Sequence, residues 1–331
     1  MSHAAAASYG PPMSAGPADR TPSLLVAFDG SAAAESAVRA AGGLFPGARA
    51  LVVTARRDPI AYEQAAEAAL VAVPADVLAG GVKALDEAAE REALETAEAG
   101  ARAGRTAGLD ADPRITEATG SPWRGLERVA DEIGADVIVC GSRGMGAFSR
   151  AAVGSTSSGL LHHAGRPVLV VPSGEGDLRG PLVVGYDGSG HARAAIAAAG
   201  RLFAGRETLV VHVWESMVRH SLSGRAVVAL PNDEIRAVVG DVDEHFRERA
   251  AAVAAEGAAL AREHGLDARP ELAEADGSAW RGLLAAARSA SAAAVIAGSR
   301  GRGAVASTVL GSVSAGLVHN ADVPVLVVPT G

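Results

Sequence analysis

"LLVAFDGS" at residues 24–31 returns as "LVVGYDGS" at residues 182–189, and that return decides how the chain is organised. Three further stretches follow it in the same order. "GSPWRGL" (120–126) becomes "GSAWRGL" (277–283), "CGSRGMGAFSRAAVGSTSSG" (140–159) becomes "AGSRGRGAVASTVLGSVSAG" (297–316), and "RPVLVVPSG" (166–174) becomes "VPVLVVPTG" (323–331). The offset is 158 residues at the first match and 157 at the others, so the chain is a duplicated unit with a difference of one residue. The reading is domain one at 23–173, domain two at 181–331, and the glycine-rich, charged "GEGDLRG" (174–180) as linker. Residues 1–22, a mix of Ala, Gly, Pro and Ser, read as a disordered tail, without the basic start and apolar run of a secretory signal.

Composition narrows the classes. At 331 residues, 49% hydrophobic and 3% aromatic, the chain has room for two cores filled by Ala and Val rather than by rings. The net charge of -8 comes without any cluster of Lys and Arg, which argues against a nucleic-acid partner. No apolar run approaches the roughly 18 residues of a membrane span. The single cysteine, Cys140, cannot close an internal disulfide and reads as a small buried residue. A cytoplasmic protein without nucleic-acid or membrane partners is expected.

Within each copy, short Val/Leu runs alternate with Ala-rich amphipathic stretches, the pattern of a parallel sheet covered by helices on both faces. Strands are expected at 24–28, 50–54, 113–118, 136–140 and 167–171, and again at 182–186, 208–213, 269–274, 293–297 and 324–328. Helices are expected near 31–44, 84–107, 123–133 and 155–164, with a long one across 234–264. The fold class is therefore α/β, two repeated doubly wound domains, each a five-stranded parallel sheet of order 3-2-1-4-5. Pro167 and Pro324 open the fifth strands and Pro172 and Pro329 close them, as suits a strand at an edge or interface.

A glycine-rich loop follows the fourth strand of each copy. Its spacing is Gly141-x2-Gly144-x9-Gly154-Ser155, repeated as Gly298-x2-Gly301-x9-Gly311-Ser312. A G-x4-G-K-[ST] phosphate loop needs a lysine, and the only lysine, Lys83, lies in another part of the chain. A dinucleotide fingerprint needs G-x-G-x-x-G after the first strand, where this chain has "DGSAAAE" and "DGSGHAR". What remains is an anion held by backbone N–H groups at the start of a helix, with Ser155 and Ser312 capping that helix or donating a hydroxyl; a plain glycine turn with a serine cap is the alternative. Asp29 and Asp187 end the first strands and face the loop across the switch point, where they can accept ribose hydroxyls or cap the next helix.

These residues resemble the universal stress protein family, over residues 22–331. The glycine spacing, the aspartate after the first strand and the terminal "PVLVVP" occur in both copies and are similar to the ATP-binding branch of that family. The resemblance implies an ATP site in each copy, with magnesium. Asp29 and Asp187 would hold ribose; Gly141, Gly144, Gly154 and Ser155, with Gly298, Gly301, Gly311 and Ser312, would hold ribose and phosphates. Ala55 and Val213, read as closing the second strands, would meet adenine through their backbone, the first copy departing from the family's His-Val ending there.

Among other candidates, His162 and His163 are adjacent but lack a second ligand pair at helical spacing, so a metal site is not expected. Arg143 and Arg300 either touch phosphate or lie on the surface, and Trp123 and Trp280 are expected to pack. No repeated base stands beside the loop, so a sensor or regulator with little turnover is expected. The alternatives are a slow ATPase or self-phosphorylating protein using Ser155, Ser157, Ser312 or Ser314, and a dimerisation module with empty sites. The resemblance also implies pairing through the last strands, and because two apolar "PVLVVP" strands share one chain they are expected to pair as an internal pseudo-dimer, further homo-oligomerisation being open.

Overall fold

A computed structural model describes residues 21–57, 75–118, 120–144, 154–174, 176–216, 233–275, 277–301 and 310–330. All but two residues of the expected tail lie outside the described residues, as do 145–153 and 302–309 within the glycine loops. The first half runs β1 (Ser23–Ala27), α1 (Ala32–Leu44), β2 (Arg49–Arg57), α2 (Ala75–Thr106), β3 (Asp110–Ala118), α3 (Pro122–Glu132), β4 (Val137–Gly141), α4 (Ser155–His163) and β5 (Val168–Val171). The second repeats it as β6 (Leu182–Gly185), α5 (Gly190–Leu202), β7 (Glu207–Trp214), α6 (Asp233–Glu263), β8 (Asp267–Glu274), α7 (Ala279–Ser289), β9 (Ala294–Gly298), α8 (Ser312–Asn320) and β10 (Val325–Val328).

Each half has the expected order 3-2-1-4-5, with every neighbour parallel. The two sheets are not separate. β5 and β10 pair antiparallel, giving one ten-stranded sheet of order β3-β2-β1-β4-β5-β10-β9-β6-β7-β8. Leu169 stands opposite Leu326, and these are equivalent residues of the duplication. Val168 faces Val327 and Val170 faces Val325, the reciprocal pattern of an isologous two-fold contact. The rings of Phe45 and Phe203, which end α1 and α5 and are also equivalent, stack with centroids 4.9 Å apart. The expected internal pseudo-dimer is thus what the strands form, and it removes both apolar inner edges from solvent.

Two cores run the length of the sheet. Leu24, Val26, Val137 and Leu169 join Leu182, Val184, Ile296 and Leu326 under α1, α2, α5 and α6. Leu25, Ile138, Cys140 and Val170 join Val183, Val295 and Val325 under α3, α4, α7 and α8. β4, β5, β9 and β10 are buried at every position, which is why they read as unbroken apolar runs. Aromatic rings fit this alanine packing because glycines make room: a Cβ on Gly100 would lie 2.7 Å from the Phe28 ring, and one on Gly257 2.5 Å from the Tyr186 ring. The outer strands β3 and β8 carry Pro113 and Pro270 and alternate charged residues, which blunts the two remaining edges.

The expected boundaries differ from the observed ones at these polar margins and at α2, which begins at Ala75 rather than near residue 84. β2 continues to Arg57 and β3 begins at Asp110, because ladder pairing extends beyond the apolar residues that mark the strands. The linker is anchored rather than loose: Ser36 Oγ accepts from Gly174 N at 3.2 Å, and Arg206 donates to Gly180 O at 2.9 Å. Among the described residues, no helix is long and apolar enough to cross a membrane.

Candidate functional site

The switch point of each half lies between β1 and β4, and between β6 and β9, where the chain leaves in opposite directions. After β1 the turn is built by Gly30 at φ +78°, matched by Gly188 at φ +78°. Asp29 Oδ1 accepts from Ser31 N at 3.0 Å, and Ser31 Oγ caps α1 by accepting from Ala34 N at 3.2 Å. Asp187 Oδ1 and Ser189 Oγ make the same pair of bonds, at 2.9 and 3.2 Å. One oxygen of each aspartate is therefore committed to the turn. The other faces the glycine loop: a Cβ on Gly144 would stand 2.6 Å from Asp29 Oδ2, and one on Gly301 3.1 Å from Asp187 Oδ2.

The loop itself is tied at both ends. Ser142 N donates to Val171 O at 2.7 Å, and Gly154 N donates back to Ser142 O at 2.9 Å, bringing the two legs together. Gly141 is needed for packing, since a Cβ there would meet the Ala33 backbone at 2.7 Å; Gly298 meets His191 at the same distance. The helix cap belongs to Gly154 and Gly311, extended at φ -63° and -64°, rather than to Ser155 and Ser312, which are the first helical residues and exposed. A glycine cap offers no side chain to the first N–H groups of α4 or α8. A Cβ on Gly154 would point at the opposite leg, 3.4 Å from Arg143 Cα, and one on Gly311 would reach 3.1 Å from Arg300 Cα.

Ser157 and Ser314 tie helix to strand. Their hydroxyls are buried and donate to Gly141 O at 2.6 Å and to Gly298 O at 2.7 Å. Ser142, which sequence reasoning passed over, is buried with a hydroxyl that has no hydrogen-bond partner among the described residues. Only its place beside Gly141 could have drawn attention to it. A second missed relationship concerns the first copy's departure from His-Val. Thr54 Oγ1 donates to Phe28 O at 2.8 Å, while His212 Nδ1 lies 2.8 Å from Tyr186 O, and a carbonyl partner requires the proton on Nδ1. Two unlike side chains thus fix the same carbonyl before the aspartate. Ala55 and Val213 lie one place further, at the crevice side of β2 and β7, but the strands run on to Arg57 and Trp214 rather than closing there.

The remaining candidates fall into structural roles. Trp123 packs into the notch left by Gly159 and stacks on His163 at 4.4 Å; Trp280 fills the same notch at Gly316. Arg143 and Arg300 are half-buried at the loop's entry. Lys83 is exposed on α2, 3.9 Å from Glu87. Among the described residues, no group of three or more His, Cys, Asp or Glu is placed to hold a metal ion.

Comparison with known proteins agrees with this architecture. The model of the universal stress protein family matches residues 22–172 and again 179–329. A universal stress protein of Mycolicibacterium smegmatis is 31% identical over 314 residues, covering 92% of this chain and 96% of its own. One from Mycobacterium tuberculosis is 34% identical over 199 residues, a match that spans 58% of this chain and 61% of that relative. Among solved structures, a universal stress protein from Archaeoglobus fulgidus superposes with a TM-score of 0.56 at 18% identity, covering 94% of this chain and all of its own. A family match across both halves, on a fold that repeats the same crevice twice, means that the chain belongs to the universal stress protein family as a tandem member.

Proposed function

We propose that each half binds one ATP, and that the protein is a nucleotide-loaded stress sensor or regulator of the cytoplasm. The observation that carries this reading is the aspartate whose second oxygen abuts the loop glycine at the switch point, present in both halves. That oxygen faces the loop rather than the turn, a placement that suits ribose hydroxyls. The buried Ser142 hydroxyl, without a hydrogen-bond partner among the described residues, and the glycine-capped first turn of α4 belong to the same loop, which suits an anion. In this arrangement Asp29 and Asp187 take ribose, the N–H groups at Ser155 and Ser312 and the loop glycines take phosphates, and backbone at Ala55 and Val213 takes adenine. Magnesium bound with the nucleotide would neutralise phosphate charge.

Turnover should be slow, because tight uniform binding does not lower a barrier and the loop sequences 142–154 and 299–311 contain no His, Asp or Glu. Transfer to Ser157 or Ser314 is opposed by their burial and by their bonds to Gly141 and Gly298. Of the four candidate acceptors Ser155, Ser157, Ser312 and Ser314, Ser155 and Ser312 are the exposed pair. Mass spectrometry of nucleotide released from purified protein, with phosphate release measured at saturating ATP and magnesium, tests the reading. ATP recovered with turnover far below about 1 per second is expected; rates near that ordinary enzyme value would replace the sensor with an enzyme.

A further inference from the structure

A cavity of about 300 Å³ opens where the first half, the linker and β10 meet, lined by none of the residues assigned above to ribose, phosphate or adenine. That volume is at the lower end for small-molecule sites, and domain junctions are where such sites concentrate. Its inner wall is apolar: Ala40, Val171 and Pro324 are buried and Leu178 is half-buried. Its exposed rim carries one cation, Arg39, and one anion, Asp322. Asp322 is already engaged, accepting from Arg288 Nε at 2.9 Å. Arg39 donates one hydrogen bond to Ser36 Oγ at 3.0 Å, which fixes its guanidinium beside the cavity, and among the described residues no carboxylate pairs with it.

The duplication supplies an internal control. The positions equivalent to Ser36 and Arg39 are Ala194 and Ala197, on a helix that packs against the same core. The helix therefore does not need these polar residues to fold. Ser36 has a task in holding the linker at Gly174, whereas among the described residues Arg39 has only its bond to Ser36 and the open cavity.

We propose that this cavity binds a small monocarboxylate with a compact apolar body, its carboxylate on Arg39 and its body against Ala40, Val171, Leu178 and Pro324. The fork of one guanidinium matches the two oxygens of one carboxylate. Phosphate is poorly served, because most of the wall is apolar and two of the lining residues, Pro172 and Pro324, carry no N–H. A second carboxylate would approach Asp322 and be repelled. An occupant would touch α1, the linker and the start of β10 together, and so brace the junction between the halves.

The test uses the full chain without nucleotide, titrated with isovalerate, succinate and inorganic phosphate and followed by calorimetry and thermal unfolding. Saturable one-to-one binding of isovalerate is expected, with a rise in melting temperature. Arg39→Ala should weaken it by about 10- to 150-fold, the loss of a charged hydrogen bond, while the unliganded variant melts as the wild type does, as Ala197 anticipates. Arg39→Gln, which can keep a bond to Ser36 without the charge, should lose binding equally. Succinate and phosphate should bind at least about 10-fold more weakly. Absence of saturable isovalerate binding, equal affinity in either Arg39 variant, or equal affinity for succinate or phosphate would overturn the proposal. None of these results depends on ATP.

Discussion

Asp29 Oδ2 and Gly144 approach so closely that a methyl group on the glycine would stand 2.6 Å from the carboxylate oxygen, whereas the equivalent Asp187 and Gly301 leave 3.1 Å. The two crevices are therefore not equally tight. On the proposed two-site reading, Gly144→Ala should displace the aspartate or the loop and weaken nucleotide binding in the first half by roughly 10-fold, the loss of one charged hydrogen bond. Gly301→Ala should be milder, since a shift of a few tenths of an ångström relieves it. Fluorescent-nucleotide titration of the two variants checks the order, and an equal or reversed effect would contradict it.

The pairing of Leu169 with Leu326 makes the ten-stranded sheet one body. Both side chains are fully buried, so each change to alanine should cost about 2–5 kcal/mol. Because the residues are in contact, the double variant should cost less or more than the sum by at least about 0.5 kcal/mol. Urea unfolding of the wild type should show one transition; two resolved transitions would mean that the halves fold as separate bodies.

Gly159 invites a test of sign. A mid-helix Gly→Ala change normally gains about 0.5–1 kcal/mol. Here the added methyl would lie 2.2 Å from Trp123 Cδ1, and the ring is held by its stack on His163. Overpacking costs about 1–3 kcal/mol, so Gly159→Ala should lower the melting temperature and alter tryptophan fluorescence. Gly316→Ala should do the same at Trp280.

Two groups should resist ionisation. Burial pushes the Cys140 thiol up to about 12, so thiol reagents should label it only on unfolding. Burial, then the hydrogen bond to Glu256, raises the Tyr186 phenol to about 12. Native protein then keeps a proton that the unfolded chain loses near pH 10, and stability falls as pH rises from about 10 to 12. Tyr186→Phe should remove the late step from an ultraviolet phenolate titration of the three tyrosines and flatten that part of the stability profile.

What could be read from the sequence followed burial. β1, β4 and β5 and their copies are sealed on both faces and show as apolar runs, and the two "PVLVVP" edges required a partner that the second copy supplies. The duplicated glycine spacing located the crevice. The ends of β2 and the start of β3 were illegible because outer strands are half exposed and their pairing is carried by backbone alone. The roles of Thr54 and His212 were hidden because the shared feature is the carbonyl they reach, and the exposed Ser155 looked like a cap until Gly154 took that place.

Calorimetric titration with ATP and magnesium of the wild type, Asp29→Asn, Asp187→Asn and the double variant tests the two-site reading most directly. Asparagine can keep the bond from Ser31 or Ser189 that builds the turn, while replacing the oxygen that faces the loop. Losing a charged hydrogen bond costs about 1.5–3 kcal/mol, or roughly 10- to 150-fold in affinity. Two ATP per wild-type chain, one tight site remaining in either single variant and none in the double are expected. A wild-type stoichiometry below two, or affinities indifferent to both substitutions, would contradict it.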